Sequence, residues 1–167
     1  AIPEAGFPTL DAAFFEETLA EVCEAGARSF ADLRELDVLG ALKSRLTSEQ
    51  ARLLAREVPD RLQLPGGRNI QVHYEPGKPP WAESRLQDFF GMGQGPSVCS
   101  GRVPVVLHLL APNQRAVQVT TDLAGFWERH YPSLRKELGR RYPRHSWPDD
   151  PRHAEPPAPR PPRNPRR

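Results

Sequence analysis

The residues best suited to chemistry in this chain are cations and aromatic rings near its C-terminal end. Lys and Arg neutralise phosphates, and aromatic rings stack on unpaired bases. We define the basic segment as Arg135, Lys136, Arg140, Arg141, Arg144, Tyr142 and Trp147, whose five cations lie within ten residues. We predict that this segment binds nucleic acid. The alternative is a solvated helix whose Leu134 and Leu138 face the core.

Nucleotide hydrolysis and metal chemistry have no counterpart in the sequence. A P-loop requires GxxxxGK[ST], and neither that pattern nor a DEAH sequence occurs. The run Gly91–Gly95 lacks Lys and precedes a proline, so it predicts a loop or turn. The five histidines are scattered without HExxH or zinc-ligand spacing. We therefore predict no catalytic, cofactor-binding or metal-binding residue, and a structural role for His108.

The first region, residues 1–60, predicts a bundle of three short helices with a leucine-rich interior. Apolar residues recur at helical spacing over Leu10–Val22 and again over Ser29–Leu46, where the serine is a cap. A third helix is predicted over Gln50–Val58, because Pro59 stops it.

The second region, residues 61–150, predicts a small α+β domain. Leu62–Tyr74 alternates around a Pro-Gly-Gly turn, and Val105–Thr120 contains a second pair of alternating runs, so both predict hairpins. Trp81–Met92 between them has helical spacing. Two further helices are predicted over Leu123–His130, capped by Asp122, and over Ser133–Tyr142. The expected core anchors of these helices are Phe126, Trp127, Leu134 and Leu138.

The last region, residues 151–167, holds 7 Pro and 5 Arg in 17 residues and predicts a disordered basic tail. The fold class is therefore α+β: an N-terminal three-helix bundle, a hairpin-helix-hairpin domain with C-terminal helices, and this tail.

Charge is distributed unevenly along the chain. Residues 1–60 hold 6 Lys/Arg against 12 Asp/Glu, whereas residues 123–167 hold 11 against 5. A basic end of this kind fits a phosphate-binding surface or an acidic partner. Cys23 and Cys99 predict two buried, reduced thiols in a cytoplasmic protein. The sequence has no apolar run long enough for a membrane span and no secretion signal.

Several sequence blocks resemble one family. From residue 101 onward the chain contains GRVP, LHLLAP, RAVQVT, DLAGFW, RKEL and RYPRHSWPDDP, and upstream it contains RSFADLRELDVLGALKSRL, RLQLPGGRNIQVHYEPG and SRLQDFFG. These blocks, in this order, resemble the C-terminal region of the bacterial DEAH-box ATP-dependent helicases called HrpB.

The resemblance implies a role within a larger motor. ATP and Mg²⁺ would bind in two RecA-like lobes that this chain lacks, so the chain alone should have no ATPase activity. It would pack on this helicase core in cis and extend the path of the RNA. The start at Ala1 rather than Met fits a piece of a longer protein. The alternative function is a protein-protein interaction module whose basic tail recruits an acidic partner.

Overall fold

The computed structural model describes residues 5–24, 29 and 37–158. The chain divides into two compact units, residues 1–57 and 58–167. We name them the helical unit and the sheet unit. Within the described ranges, no helix is long and apolar enough to cross a membrane.

The helical unit contains three described helices in the predicted order: α1 (Ala12–Glu24), α2 (Val38–Ser44) and α3 (Ser48–Glu57). Asp37 caps α2 by accepting a 2.8 Å hydrogen bond from the Gly40 N–H. Thr47 and Gln50 form a reciprocal capping box at the start of α3. The earlier part of the predicted second helix, residues 30–36, lies outside the described residues.

The fully buried side chains described in the helical unit, Thr18 and Glu57, are polar. Thr18 of α1 is buried, and the Arg45 guanidinium donates to its hydroxyl at 3.1 Å. The same guanidinium lies 4.7 Å from the centre of the Phe14 ring. Leu10 and Leu39, which were expected inside, are 65% and 60% exposed. The predicted leucine-rich bundle interior therefore stays unconfirmed.

The sheet unit is built on a five-stranded sheet with the order β1-β2-β3-β6-β7 and a separate two-stranded sheet, β4-β5. Its strands are β1 (Arg61–Gln63), β2 (Asn69–His73), β3 (Trp81–Arg85), β4 (Ser97–Val98), β5 (Val103–Pro104), β6 (Val106–Leu110) and β7 (Ala116–Thr120). Two helices follow, α4 (Leu123–Arg129) and α5 (Tyr131–Arg141).

Both predicted hairpins are confirmed, because β1 pairs antiparallel with β2 and β6 pairs antiparallel with β7. The helix predicted over Trp81–Met92 is wrong in its first half. Residues 81–85 form β3, which pairs in parallel with β6, and only Leu86–Phe89 form a short 3₁₀ helix. β3 also pairs antiparallel with β2, and its parallel partner β6 begins after a long connection, so the spacing of residues within Trp81–Met92 does not reveal the strand.

One face of the five-stranded sheet forms the core, because alternate strand residues point to the same side. The buried row includes Val72, Ala82 and Leu107, which lie opposite one another on β2, β3 and β6. The C-terminal helices add Phe126, Trp127 and Leu138, all fully buried as predicted, whereas Leu134 is half-buried.

The other face of the sheet carries a stack of three rings. Trp81 lies between His73, at 4.1 Å between ring centres, and His108, at 4.9 Å. Both pairs are nearly parallel, with interplanar angles of 18° and 20°. This contact packs His108 against Trp81, and the structural role predicted for His108 stays a prediction. Within the described part of the chain, no group of three or more His, Cys, Asp or Glu is placed to hold a metal.

The segment after α5 differs from the predicted disordered tail. Residues 151–158 are described: Pro151 is buried, and its carbonyl accepts a 2.9 Å hydrogen bond from the Gly91 N–H. Residues 159–167 lie outside the described residues. The run Gly91–Gly95 forms turns and bends, as predicted. Cys99 is buried, but Cys23 is exposed on α1, so its predicted burial is wrong.

Candidate nucleic-acid interface

Helix α5 carries most of the basic segment and is fixed to the core along one face. Tyr131 and Leu138, seven residues apart, are both buried. The Tyr131 ring packs edge-on against Trp127 at 5.3 Å, and its hydroxyl donates to the Pro148 carbonyl at 2.9 Å. Burial raises the pKa of Tyr131 to about 12, so the neutral phenol is retained. The helix therefore presents its remaining sides in fixed directions.

The cations of α5 lie on three sides of the helix rather than in one row. Lys136 and Arg140, four residues apart, share the solvent side and are both exposed. Arg135 and Arg141 are six residues apart, so they lie about 120° apart around the axis. Arg144 is exposed beyond the end of the helix.

Arg135 differs from the other cations because it has an ionic partner. Its guanidinium pairs with the Asp149 carboxylate, whose side chain is otherwise exposed. Lys136, Arg140, Arg141 and Arg144 form no ion pair with any residue that the structure describes. Four of the five predicted cations therefore keep their charge available.

Tyr142 and Trp147 are brought together by the turn that follows α5. The Trp147 indole N–H donates to the Tyr142 carbonyl at 3.1 Å, and both side chains are half-buried. The Arg141 guanidinium lies 5.7 Å from the centre of the Tyr142 ring. Tyr142 thus joins the cation-bearing helix to the aromatic turn, while the Trp147 N–H is already used inside the protein.

Gln87, in the 3₁₀ helix, holds this turn in place. It is 5% exposed; its amide N–H donates to the Ser146 carbonyl at 2.8 Å, and its carbonyl oxygen lies 3.1 Å from Nδ1 of His145. Sequence reasoning missed this residue. The signal in the sequence was the polar pair Gln87-Asp88 between the apolar residues Leu86 and Phe89.

A second anchor follows the turn at Asp150. A hydrogen bond from His153, supported by the backbone N–H of Arg152, lowers the pKa of Asp150 to about 2. Arg152 also reaches Glu128 of α4 at 3.7 Å. These contacts fix the chain on both sides of the Trp147 turn.

Sequence reasoning also missed two residues that approach the basic segment from the β6-β7 hairpin. Asn113 and Arg115 of this hairpin share a cavity with Arg141 and Tyr142. They are more than twenty residues away along the sequence, so no local pattern places them beside α5.

The family model for the ATP-dependent helicase C-terminal region, HrpB_C, matches residues 19–151. The ATP-dependent RNA helicase HrpB of Escherichia coli K12 is 36% identical over 162 residues. That match covers 93% of this chain but only 20% of the relative, so the chain spans about a fifth of the length of that helicase.

Two solved structures agree with this match. The crystal structure of the E. coli DExH-box NTPase HrpB has a TM-score of 0.87 and 37% identity, covering 93% of this chain and 20% of that one. A crystal structure of the E. coli DEAH/RHA helicase HrpB has a TM-score of 0.70 and 35% identity, covering 87% of this chain and 19% of that one. The fold and the sequence of this chain therefore place it in the HrpB C-terminal family of ATP-dependent helicases.

Proposed function

We propose that this chain is the accessory C-terminal region of an ATP-dependent RNA helicase and contributes part of its RNA-binding surface. It packs on the helicase core in cis, and the basic segment extends the path of the RNA. Membership of the family supports the first part of the proposal. The proposed contribution to RNA binding rests on the exposed cations of the basic segment.

The observation that carries the RNA-binding proposal is a set of cations on a fixed helix. Lys136, Arg140, Arg141 and Arg144 have no carboxylate partner within the described residues, while Tyr131 anchors the helix. Cations held in fixed positions without counter-charges attract a phosphate backbone and release its counterions. Such contacts orient a strand without reading its bases.

ATP hydrolysis belongs to the proposed motor rather than to this chain. The sequence has no P-loop and no DEAH sequence, so ATP and Mg²⁺ would bind in the RecA-like lobes. We expect no saturable ATP binding when this chain is titrated alone in a calorimeter. A micromolar ATP site would contradict this division of roles.

The RNA-binding proposal is tested by salt dependence. The double variant Lys136→Ala, Arg140→Ala removes two exposed cations from the solvent side of α5. Fluorescence anisotropy with one labelled single-stranded RNA, at several salt concentrations, should show weaker binding and a log-affinity against log-salt slope flatter by about 1.4. Arg52→Ala with Lys78→Ala removes the same charge from exposed positions elsewhere and is the matched control.

Equal slopes for wild type, the α5 variant and the control would contradict the RNA path along α5. Binding of a protein partner that unrelated RNA does not displace would instead favour the interaction-module alternative. Deletion of residues 151–167 should cause only a smaller loss of RNA affinity, because all five cations of the basic segment remain.

A further inference from the structure

A cavity of about 290 Å³ lies between the β6-β7 hairpin and α5. Its floor is apolar, formed by Ala111, Val117, Leu134 and Leu138. Its rim is polar and includes Asn113, Arg115, Glu137, Arg141 and Tyr142. The volume is at the lower end of the range of about 300–1,000 Å³ that is usual for small-molecule sites. The cavity therefore suits a single small unit rather than an extended ligand.

The hairpin loop that forms one wall has a defined backbone. The Ala111 N–H donates to the Arg115 carbonyl at 2.8 Å, and the Gln114 N–H donates to the Ala111 carbonyl at 2.9 Å. The Asn113 side chain accepts from the Arg115 N–H at 3.3 Å. Gln114 has a φ of +67°, a conformation that costs free energy for a residue other than glycine. The base of the Arg115 side chain is thus set by the turn and not by a free loop.

Two arginines line this cavity. Arg115 comes from the hairpin and Arg141 from α5, and neither forms an ion pair with a described residue. Two arginines against one glutamate leave the lining of the cavity net positive, which favours an anionic ligand. The Arg141 guanidinium lies over the Tyr142 ring, so the cation and the aromatic side chain are neighbours at this cavity.

The rest of the lining argues against a simple anion. Glu137 on the rim can accept hydrogen bonds from the N–H groups of a base or the hydroxyls of a sugar, which gives a nucleotide favourable contacts that inorganic phosphate lacks. A base that covers the apolar floor removes apolar surface from water, which is favourable, whereas a hydrated ion does not. An unpaired base reaches such a concave site only from a single strand.

We infer that this cavity binds one nucleotide unit of a single-stranded RNA. The phosphate lies between Arg115 and Arg141, and the base lies towards Tyr142 and the apolar floor. This inference rests on the proposed function, since it names a subsite on the same RNA path. It adds Asn113, Arg115 and Glu137 to the residues of the interface.

The test measures RNA affinity of the full chain by anisotropy for Arg115→Ala, Arg141→Ala and both together. Each single variant should weaken binding about tenfold, the loss expected for one charge-assisted contact to phosphate. The double variant should weaken it by less than the product of the two, because both side chains hold the same phosphate. Arg52→Ala with Lys78→Ala again controls for net charge, and Arg115 is exposed, so its replacement should leave the circular dichroism spectrum unchanged.

A second measurement identifies the ligand on the wild-type chain. Nuclear magnetic resonance of the arginine side-chain N–H groups should show saturable shifts at Arg115 and Arg141 with a nucleoside monophosphate. Inorganic phosphate and a short oligoglutamate should give no saturation. Equal shifts with phosphate would overturn the nucleotide assignment in favour of an anion site, and tight binding of oligoglutamate would overturn it in favour of an acidic peptide.

The outcomes separate this inference from the proposed function. If Arg115→Ala binds RNA like wild type while the Lys136 and Arg140 variant flattens the salt slope, the subsite is wrong and the RNA path stands. If the wild-type chain binds no RNA at low salt, both are overturned.

Discussion

The helical unit and the sheet unit bury different kinds of side chain. Within the described residues, every buried apolar side chain lies in the sheet unit, from Leu64 to Leu138. The buried side chains of the helical unit are Thr18 and Glu57. Five large apolar side chains of the helical unit are exposed instead: Leu10, Phe15, Leu19, Val38 and Leu39. The comparison indicates that apolar burial stabilises the sheet unit far more than the helical unit.

The two units also differ in the cavities that they present, although the two volumes are alike. The helical unit has a cavity of about 290 Å³ lined almost wholly by apolar side chains, with Lys43 as its charged member. The cavity of the sheet unit has the same volume and a rim with two arginines. Apolar lining suits contact with protein, and a cationic rim suits phosphate. Volume alone therefore says little about the ligand.

The largest expected difference between the two units is the loss of unfolding free energy when one apolar side chain in each is shortened to alanine. Trp127→Ala removes a buried ring that touches Phe90 and Tyr131 and donates to the Met92 carbonyl at 2.8 Å. It should lower the free energy of unfolding by about 3–5 kcal/mol. Leu39→Ala on the helical unit removes a side chain that is 60% exposed and should change it by about 0.5 kcal/mol or less. Urea titrations followed by circular dichroism measure both.

Equal losses for these two variants would contradict the comparison, because they would place Leu39 in a core as well packed as that of Trp127. An unchanged midpoint for Trp127→Ala would instead assign this ring to a binding surface.

Removing an ion pair from each unit should give a smaller difference in unfolding free energy. The Arg68 guanidinium lies 3.1 Å from the Asp88 carboxylate, whose side chain is 2% exposed and also accepts from the Ser84 hydroxyl. Arg68→Ala should lower the free energy of unfolding by about 2–3 kcal/mol, less than for a fully buried pair, because a third of the arginine is exposed. In the helical unit, Arg45 pairs with exposed carboxylates, so Arg45→Ala should cost about 1 kcal/mol.

Chemical denaturation of the two arginine variants measures this difference. The double variant Arg68→Ala, Asp88→Asn should recover part of the loss, since it no longer leaves a buried charge unpaired. A larger loss for Arg45→Ala than for Arg68→Ala would reverse the comparison.

Local signals predicted most elements of both units. The Pro-Gly-Gly turn predicted the β1-β2 hairpin. Asp122 predicted the start of α4, and its carboxylate accepts a 2.8 Å hydrogen bond from the Gly125 N–H. β3 was missed because Trp81, Arg85 and Phe89 recur at helical spacing. Its strand conformation depends on pairing with strands on both sides, antiparallel with β2 and parallel with the non-local β6. A parallel partner leaves no turn signal beside the strand.

The site was predictable only where it is continuous in sequence. The clustering of cations located α5, but Arg135 and Arg141 point to different sides, and the pairing of Arg135 with Asp149 depends on the fold of the following turn. Arg115 enters the interface only because the β6-β7 hairpin packs beside α5. The spacing of the cations therefore predicts that a basic surface exists, but it does not predict the shape of that surface.

The smallest expected effect concerns the turn that shapes this surface. Gln87→Ala removes hydrogen bonds to the Ser146 carbonyl and to His145 without touching any cation of the basic segment. Two part-buried hydrogen bonds are lost, so the free energy of unfolding should fall by about 1–2 kcal/mol. RNA affinity should fall a few-fold, since the turn that carries Arg144 and Trp147 loses its fixed position. The salt slope should stay unchanged, because all the cations remain.

Gln87→Glu keeps the size of the side chain but replaces its amide by a carboxylate. It places a carboxylate oxygen against the Ser146 carbonyl and buries a charge, so it should be no more stable than Gln87→Ala. Anisotropy and urea titrations on both variants give the comparison. A flatter salt slope for Gln87→Ala would mean that the turn contributes cations directly, and full wild-type RNA affinity would mean that the turn between α5 and Asp150 does not shape the interface.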